Sequence, residues 1–228
     1  MNTRPVFFRI SRNRRNAASA PAMRPKALSG SIAKYSRGLA LSVLTLIGAS
    51  QAPGAIYYWD NSGGTANDWG SVANWSTVIG GGTDPGAIPG VGDVATFSAS
   101  PIFGTAQTVN LNADRSVLGL DFLSGVTATT TLLGGGANRT LTLGASGITS
   151  AASNTVTIGS STGGQNVNII VAGSQSWANN GTGNVLIVNS VSGTGSPTLT
   201  NNGTGSGIMA LAGFLDSSIT RIVQDGCD

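Results

Sequence analysis

The sequence predicts an all-β fold, and within that class a β-solenoid in preference to a β-sandwich. Three observations carry this. Beyond residue 55 the chain is dominated by Gly, Thr, Ser, Asn, Val, Leu and Ile, with no Glu or His anywhere and no Lys after Lys34. Amphipathic helices with charged faces therefore have no material from which to form. Short runs of β-branched and apolar residues alternating with small polar ones recur about every 8 to 15 residues, separated by Gly-Gly, Ser-Gly, Asn-Gly or Thr-Gly, the pattern of strand and tight turn. Finally, NNGTG at 179–183 returns at 201–205, a period of 22, each copy followed by an apolar run. One solenoid coil takes roughly 20 to 25 residues, and stacking buries the inward Val, Leu and Ile that no coil buries alone.

The elements follow in order. Positive charge is confined to the front: nine of the twelve Lys and Arg lie at or before Arg37, and every acidic residue lies at or after Asp60. Residues 1–37 are basic and acid-free, and residues 38–48 (GLALSVLTLIG) are apolar and uncharged. A basic n-region followed by a short h-region is the order of a secretory signal, and the run is shorter than the roughly 20 residues that span a bilayer. Residues 1–52 are read as a signal peptide with a long basic n-region, cut in the region of Ser50, Gln51 and Ala52, with initiation at Met23 as the route to a conventional length. A mitochondrial transit peptide would share the basic front but not the h-region. The remainder carries Arg115, Arg139 and Arg221 against nine Asp. It lacks the basic stripe that phosphate binding requires, so no nucleic-acid partner is expected, and no membrane span is expected in the mature chain.

Residues 53–97 differ in texture, with three of the four Trp, several Asp and a Gly/Pro loop over 80–92. They are read as a cap that covers the first coil and removes an open sheet edge. Residues 98–228 are read as solenoid repeats. Their strands are expected at TVNLN from Thr108, VLGLDF from Val117, TATTTLL from Thr127, RTLTLG from Arg139, NTVTIG from Asn154, NVNIIV from Asn166 and NVLIVN from Asn184. TLTLG from Thr140 and TVTIG from Thr155 form a shorter echo, fifteen apart. Rows of Asn and Thr are expected to stack between coils as hydrogen-bonded ladders. The apolar run 208–215 and the alternation Ile219, Ile222, Val223 read as the start of a further coil with a sticky edge.

Tyr58-Trp59-Asp60 with Gly63-Gly64, Asp68-Trp69, Ala73-Asn74-Trp75-Ser76, Pro89-Gly90 and Gly92-Asp93-Val94-Ala95-Thr96-Phe97 resemble the opening of secreted bacterial proteins built from autotransporter-associated β-strand repeats. The resemblance is specific over the first forty residues of the span 56–224 and compositional beyond them. It implies a right-handed parallel β-helix serving as a secreted or surface-exposed passenger at the bacterial outer membrane or outside the cell, often adhesive, with no catalytic residues to transfer. Such proteins continue for many repeats and end in a barrel or sorting tail. The terminal RIVQDGCD lacks barrel character, so a truncated or frame-shifted gene product, or an N-terminal fragment, is expected.

Chemistry is sparse. Ser161 sits in a formal G-x-S-x-G at 159–163, but a serine nucleophile needs an imidazole and the chain has no His. A P-loop needs a Lys that the mature part lacks. The run GGGTDPG from Gly80 lacks the spaced Asp of a calcium-binding array. Cys227 is the single cysteine, which excludes a zinc cluster and leaves at most an intermolecular disulfide. No cofactor or metal site is expected. Asn74, Asn138, Asn180 and Asn202 lie in N-x-[ST] sequons, relevant only in a eukaryotic secretory route.

Two readings of function follow. The first is an exported, non-enzymatic structural or adhesin-like β-helical segment whose partners are cell-surface glycans or further copies of itself through the C-terminal β edge. The second is a β-helical polysaccharide-binding or polysaccharide-cleaving protein using Asp114 and Asp121, flanked by Arg115, since glycoside cleavage needs two carboxylates at a defined separation. Trp59, Trp69 and Trp75 are candidate sugar-stacking residues, weighed against the simpler role of a hydrophobic plug inside the cap.

Overall fold

In a computed structural model, residues 54–63, 67–98 and 105–225 are described. The signal-peptide reading, the cleavage residues Ser50, Gln51 and Ala52, and Cys227 lie outside them. Among the described residues there is no α-helix, only a 3-10 turn at Val72–Asn74 between strands. Every strand pairing is parallel except one. Parallel neighbours cannot be joined by a hairpin, so the chain winds as a β-solenoid of about five stacked coils, and the sandwich alternative is not realised.

The winding starts with β1 (Ile56–Trp59) and β2 (Trp75–Ser76), the one antiparallel pair. β3 (Val94–Phe97) lies parallel to β1 and leads to β4 (Gln107–Asn110) on another face. The second coil consists of β5 (Arg115–Phe122) and β6 (Thr130–Leu133), the third of β7 (Arg139–Ser150) and β8 (Val156–Ile158). β5 and β7 each run across a corner of the coil, where their pairing slips between Val117 and Gly119. In the fourth coil that long strand divides into β9 (Val167–Val171) and β10 (Gln175–Asn179), followed by β11 (Val185–Ile187). The fifth repeats the division as β12 (Val191–Gly193), β13 (Thr198–Asn201) and β14 (Met209–Leu211), and β15 (Arg221–Gln224) opens the next. β4, β6, β8, β11 and β14 form a five-stranded sheet, and the other ten strands a second, bent sheet.

Strict alternation puts one row of side chains into the lumen and the next outside. On the five-stranded sheet the inward row Val109, Leu132, Ile158, Ile187 and Leu211 stacks in register, and the first four are fully buried. On the bent sheet Val117, Leu143 and Val171 stack in the same way, as do Ala95, Leu120, Ile148 and Trp177. Each apolar side chain is thus covered above and below by the next coil, as the sequence pattern requires of residues too small to form a core within one turn.

Coil length varies more than the sequence repeat suggests, from 22 residues for Ile169↔Val191 to 29 for Val156↔Val185. The NNGTG echo is not the structural repeat. Trp177 pairs with Asn201 and Val185 with Met209, both 24 apart, so the second NNGTG stands two residues out of register with the first. What stacks is glycine: a Cβ on Gly205 would lie 2.1 Å from the Gly181 carbonyl oxygen, and one on Gly207 2.0 Å from that of Gly183. The TLTLG and TVTIG pair belongs to two strands, β7 and β8, of one coil, so its spacing measures the path between faces.

The Asn residues tie coils together, but chiefly by gripping backbone. Asn189 Oδ1 accepts from Ser160 N (3.1 Å) and Val167 N (2.9 Å) while its Nδ2 donates to Ser160 O (2.9 Å). Asn184 Oδ1 accepts from Ile208 N and Asn180 Oδ1 from Thr204 N, each at 3.1 Å. Side-chain pairing between coils does occur, as where Asn201 Nδ2 donates to Gln224 Oε1 at 2.9 Å. The turns reward Asn because each coil presents unpaired N–H and C=O groups there and a carboxamide satisfies one of each.

Candidate functional site

At the capped end Trp59, Trp69 and Trp75 are fully buried. Trp75 meets Trp59 edge-on at 5.1 Å and Trp69 at 4.8 Å, with Phe97 within 6.5 Å of all three. Phe97 stacks in turn on Phe122 at 4.7 Å, so the aromatic column runs from the cap into the second coil. Trp75 Nε1 donates to the Trp69 carbonyl (2.9 Å). None of the three rings has an exposed face to offer a sugar, and their packing is that of a plug. The cap is also continuous with the stack: β3 pairs with both β1 and β5, and Asn67–Trp69 joins β4 through Trp69 N to Asn110 O (2.8 Å) and Asn110 N to Asn67 O (2.7 Å).

Asp114 and Asp121 do not meet. Asp114 precedes β5 and its Oδ1 accepts from Thr140 N (2.9 Å), a link to the next coil. Asp121 lies near the far end of β5, beyond the corner at 117–119. The two stand on either side of that corner, seven residues apart along the chain, each in its own surroundings, and not facing one another across a single cleft as the two carboxyl groups of a glycosidase do. Arg115 is engaged elsewhere. Its Nε donates to Leu111 O (3.0 Å) and its guanidinium lies over Gly70. Burial lowers its pKa, with the charge of Asp68 acting in the opposite direction.

Ser161 occupies an exposed bend after β8. Among the sequons, Asn74 is fully buried with its Nδ2 donating to Asp68 O (2.8 Å), so its side chain holds the cap. Asn138 and Asn180 accept hydrogen bonds from the next coil. Among the described residues no group of three or more His, Cys, Asp or Glu could hold a metal ion, and no helix is long and apolar enough to cross a membrane.

What the fold does assemble is a shallow groove of about 270 Å³ on the outer side of β1, β3, β5 and β7. Tyr58, Thr96, Asp121 and Thr149 are register partners on these four successive strands and all line it, between Ile56 and Val94 on one side and Leu123 on the other. Ser146, at the β7 corner, closes over Gly119, where a Cβ would lie 2.7 Å from the serine Cβ. Asp121 is half-buried, and burial raises its carboxyl above the ordinary range. Thr96 is 2% exposed and its Oγ1 has no hydrogen-bond partner among the described residues. Sequence reasoning singled out Asp121 but not its neighbours, because spacings of 25 and 28 residues between partners become visible only once the coils are in register.

No protein-family model matches the chain, and no curated protein or solved structure matches it either.

Proposed function

We propose that the chain is an exported, non-enzymatic structural or adhesin-like β-helical segment, working at the cell surface or outside the cell through the outer faces of its coils. The observation that carries this reading is the separation of Asp114 from Asp121, each committed to a different part of the coil, on a scaffold whose lumen is filled by side chains. Export is supported by the basic n-region and apolar h-region of residues 1–48. The adhesive role is supported by the resemblance of residues 56–97 to the openings of bacterial passengers.

Two measurements test it. Expressed in a bacterial host, the chain should appear outside the cytoplasm with an intact mass that places its N-terminus between Gln51 and Ile56. A product retaining Arg37 contradicts export by cleavage. Incubated with a panel of acidic and neutral polysaccharides, the protein should release no product. Turnover that disappears in Asp114→Asn or Asp121→Asn would replace the structural reading with an enzymatic one.

A further inference from the structure

We propose that the groove over β1, β3, β5 and β7 binds a primary alkylammonium group, the chemistry shared by a lysine side chain and a small free amine. Parallel strands stand about 4.8 Å apart, so the in-register row Tyr58, Thr96, Asp121, Thr149 sets the Asp121 carboxylate between two threonine hydroxyls. An ammonium carries three N–H donors and no acceptor. Asp121 and the two threonine oxygens supply three acceptors converging from adjacent strands.

Two features of the site lack a partner among the described residues. Thr96 Oγ1 is buried and makes no hydrogen bond among the described residues. No Lys or Arg lines the groove, and the chain has no Lys after Lys34, so the half-buried Asp121 has no counter-charge there. A cation restores the hydration that burial removes from the carboxylate. The flanks select among cations: Ile56, Val94 and Leu123 offer methylene and methyl surface for an alkyl stem, and the Tyr58 ring can face the charge. A divalent metal ion would ask for several carboxylates, and only Asp121 is present. A neutral polyol would leave the charge uncompensated.

The binding does not depend on export or adhesion, so its failure and theirs are distinguishable. The test is isothermal titration of the full chain at neutral pH with n-butylammonium and with Nα-acetyl-lysine N-methylamide. n-Butanol and the Nε-acetylated lysine derivative serve as uncharged controls. Weak, saturable binding of an ammonium probe and none of the controls is expected. Asp121→Asn should weaken it at least about tenfold, the loss of a charge-assisted hydrogen bond, and Thr96→Val should weaken it several-fold. If the lysine amide binds at least as well as butylammonium, the groove accepts a lysine side chain on a polypeptide; if only butylammonium binds, it takes free amines. Affinity should fall on acidification as Asp121 takes up its proton, Tyr58 being the only other titratable side chain lining the groove. Shift mapping on the unmodified protein gives a second readout, with changes centred on Thr96, Asp121 and Thr149. Equal binding of the neutral controls, unchanged affinity in a folded Asp121→Asn, shifts centred elsewhere, or no binding of either ammonium overturns the proposal.

Discussion

Trp75 touches both other tryptophans of the cap and Phe97, and donates the one indole hydrogen bond that the cluster makes internally. Trp75→Ala should therefore cost about 3–5 kcal/mol, the range for deleting a large buried aromatic side chain, seen as a lower midpoint in urea unfolding. Trp75→Phe should cost less, because it keeps part of the buried area while losing the bond to the Trp69 carbonyl. Asp121 predicts a change of opposite sign. Its folded-state pKa lies above the unfolded value, so the native state holds its proton more tightly, and the group lowers stability as pH rises through the window between the two. Asp121→Asn should raise the melting temperature at pH 7, and the gain should vanish once the pH falls below about 4, where the aspartate is protonated in both states. The plug was legible at this scale, since three Trp in a region poor in other large apolar groups had little else to do. The Thr96–Asp121 pairing was not, because threonine in a strand carries no signal of its own, and only register makes two distant residues neighbours.

Among the elements, seven strands were readable because each carries an inward Val, Leu or Ile, even where Gln107 of β4, Phe122 of β5 or Thr130 of β6 shares the inward row. β10 was missed for the converse reason. Its inward residues are Gln175, Trp177 and Asn179, and the two carboxamides are buried by bonding rather than by being apolar: Gln175 Nε2 donates to Leu143 O (3.1 Å) and Asn179 Nδ2 to Gly183 O (2.8 Å). The expected coil length of roughly 20 to 25 residues holds across β10 and β13, but NNGTG is not its marker: the motif repeats as letters while two extra residues, Ser206 and Gly207, precede the second apolar run, and the pairing follows the apolar rows. The stacked glycines supply a matched test. Gly205→Ala would drive a methyl into the carbonyl of Gly181, backbone that cannot move aside, whereas Gly163→Ala meets nothing within 4 Å. The first should lose at least about 2 kcal/mol, an overpacking cost, and the second should stay within about 0.5 kcal/mol of the parent, both read from thermal or chemical unfolding.

At the scale of the whole molecule the two ends differ. At one end of the described stack the cluster of Trp59, Trp69 and Trp75 is fully buried, while at the other β15 pairs with β13 alone among the described residues. Ile208, Phe214 and Ile222 are each more than half exposed there, and Ile208 lines a cavity of about 360 Å³ with Asn201, Met209 and Gln224. An edge of this kind is a template for another strand. Association that rises with concentration is therefore expected in sedimentation velocity, persisting in Cys227→Ser and reduced by Ile222→Lys, whose charge an added strand would have to bury. A clean monomer at high concentration would contradict self-association through this end.

Parallel coils stack in a register of 24 residues across β10 and β13, and cross-linking measures that register most directly. Ser176 and Thr200 are outward-facing register partners, at a separation that suits a disulfide, whereas Thr198 stands two residues, about 7 Å, further along the strand. In a Cys227→Ser background, Ser176→Cys with Thr200→Cys should form an intramolecular disulfide on mild oxidation, and Ser176→Cys with Thr198→Cys should not. Cross-linking of the second pair alone would mean that the coils follow the 22-residue sequence repeat, and failure of both would mean that the strands do not stack in parallel.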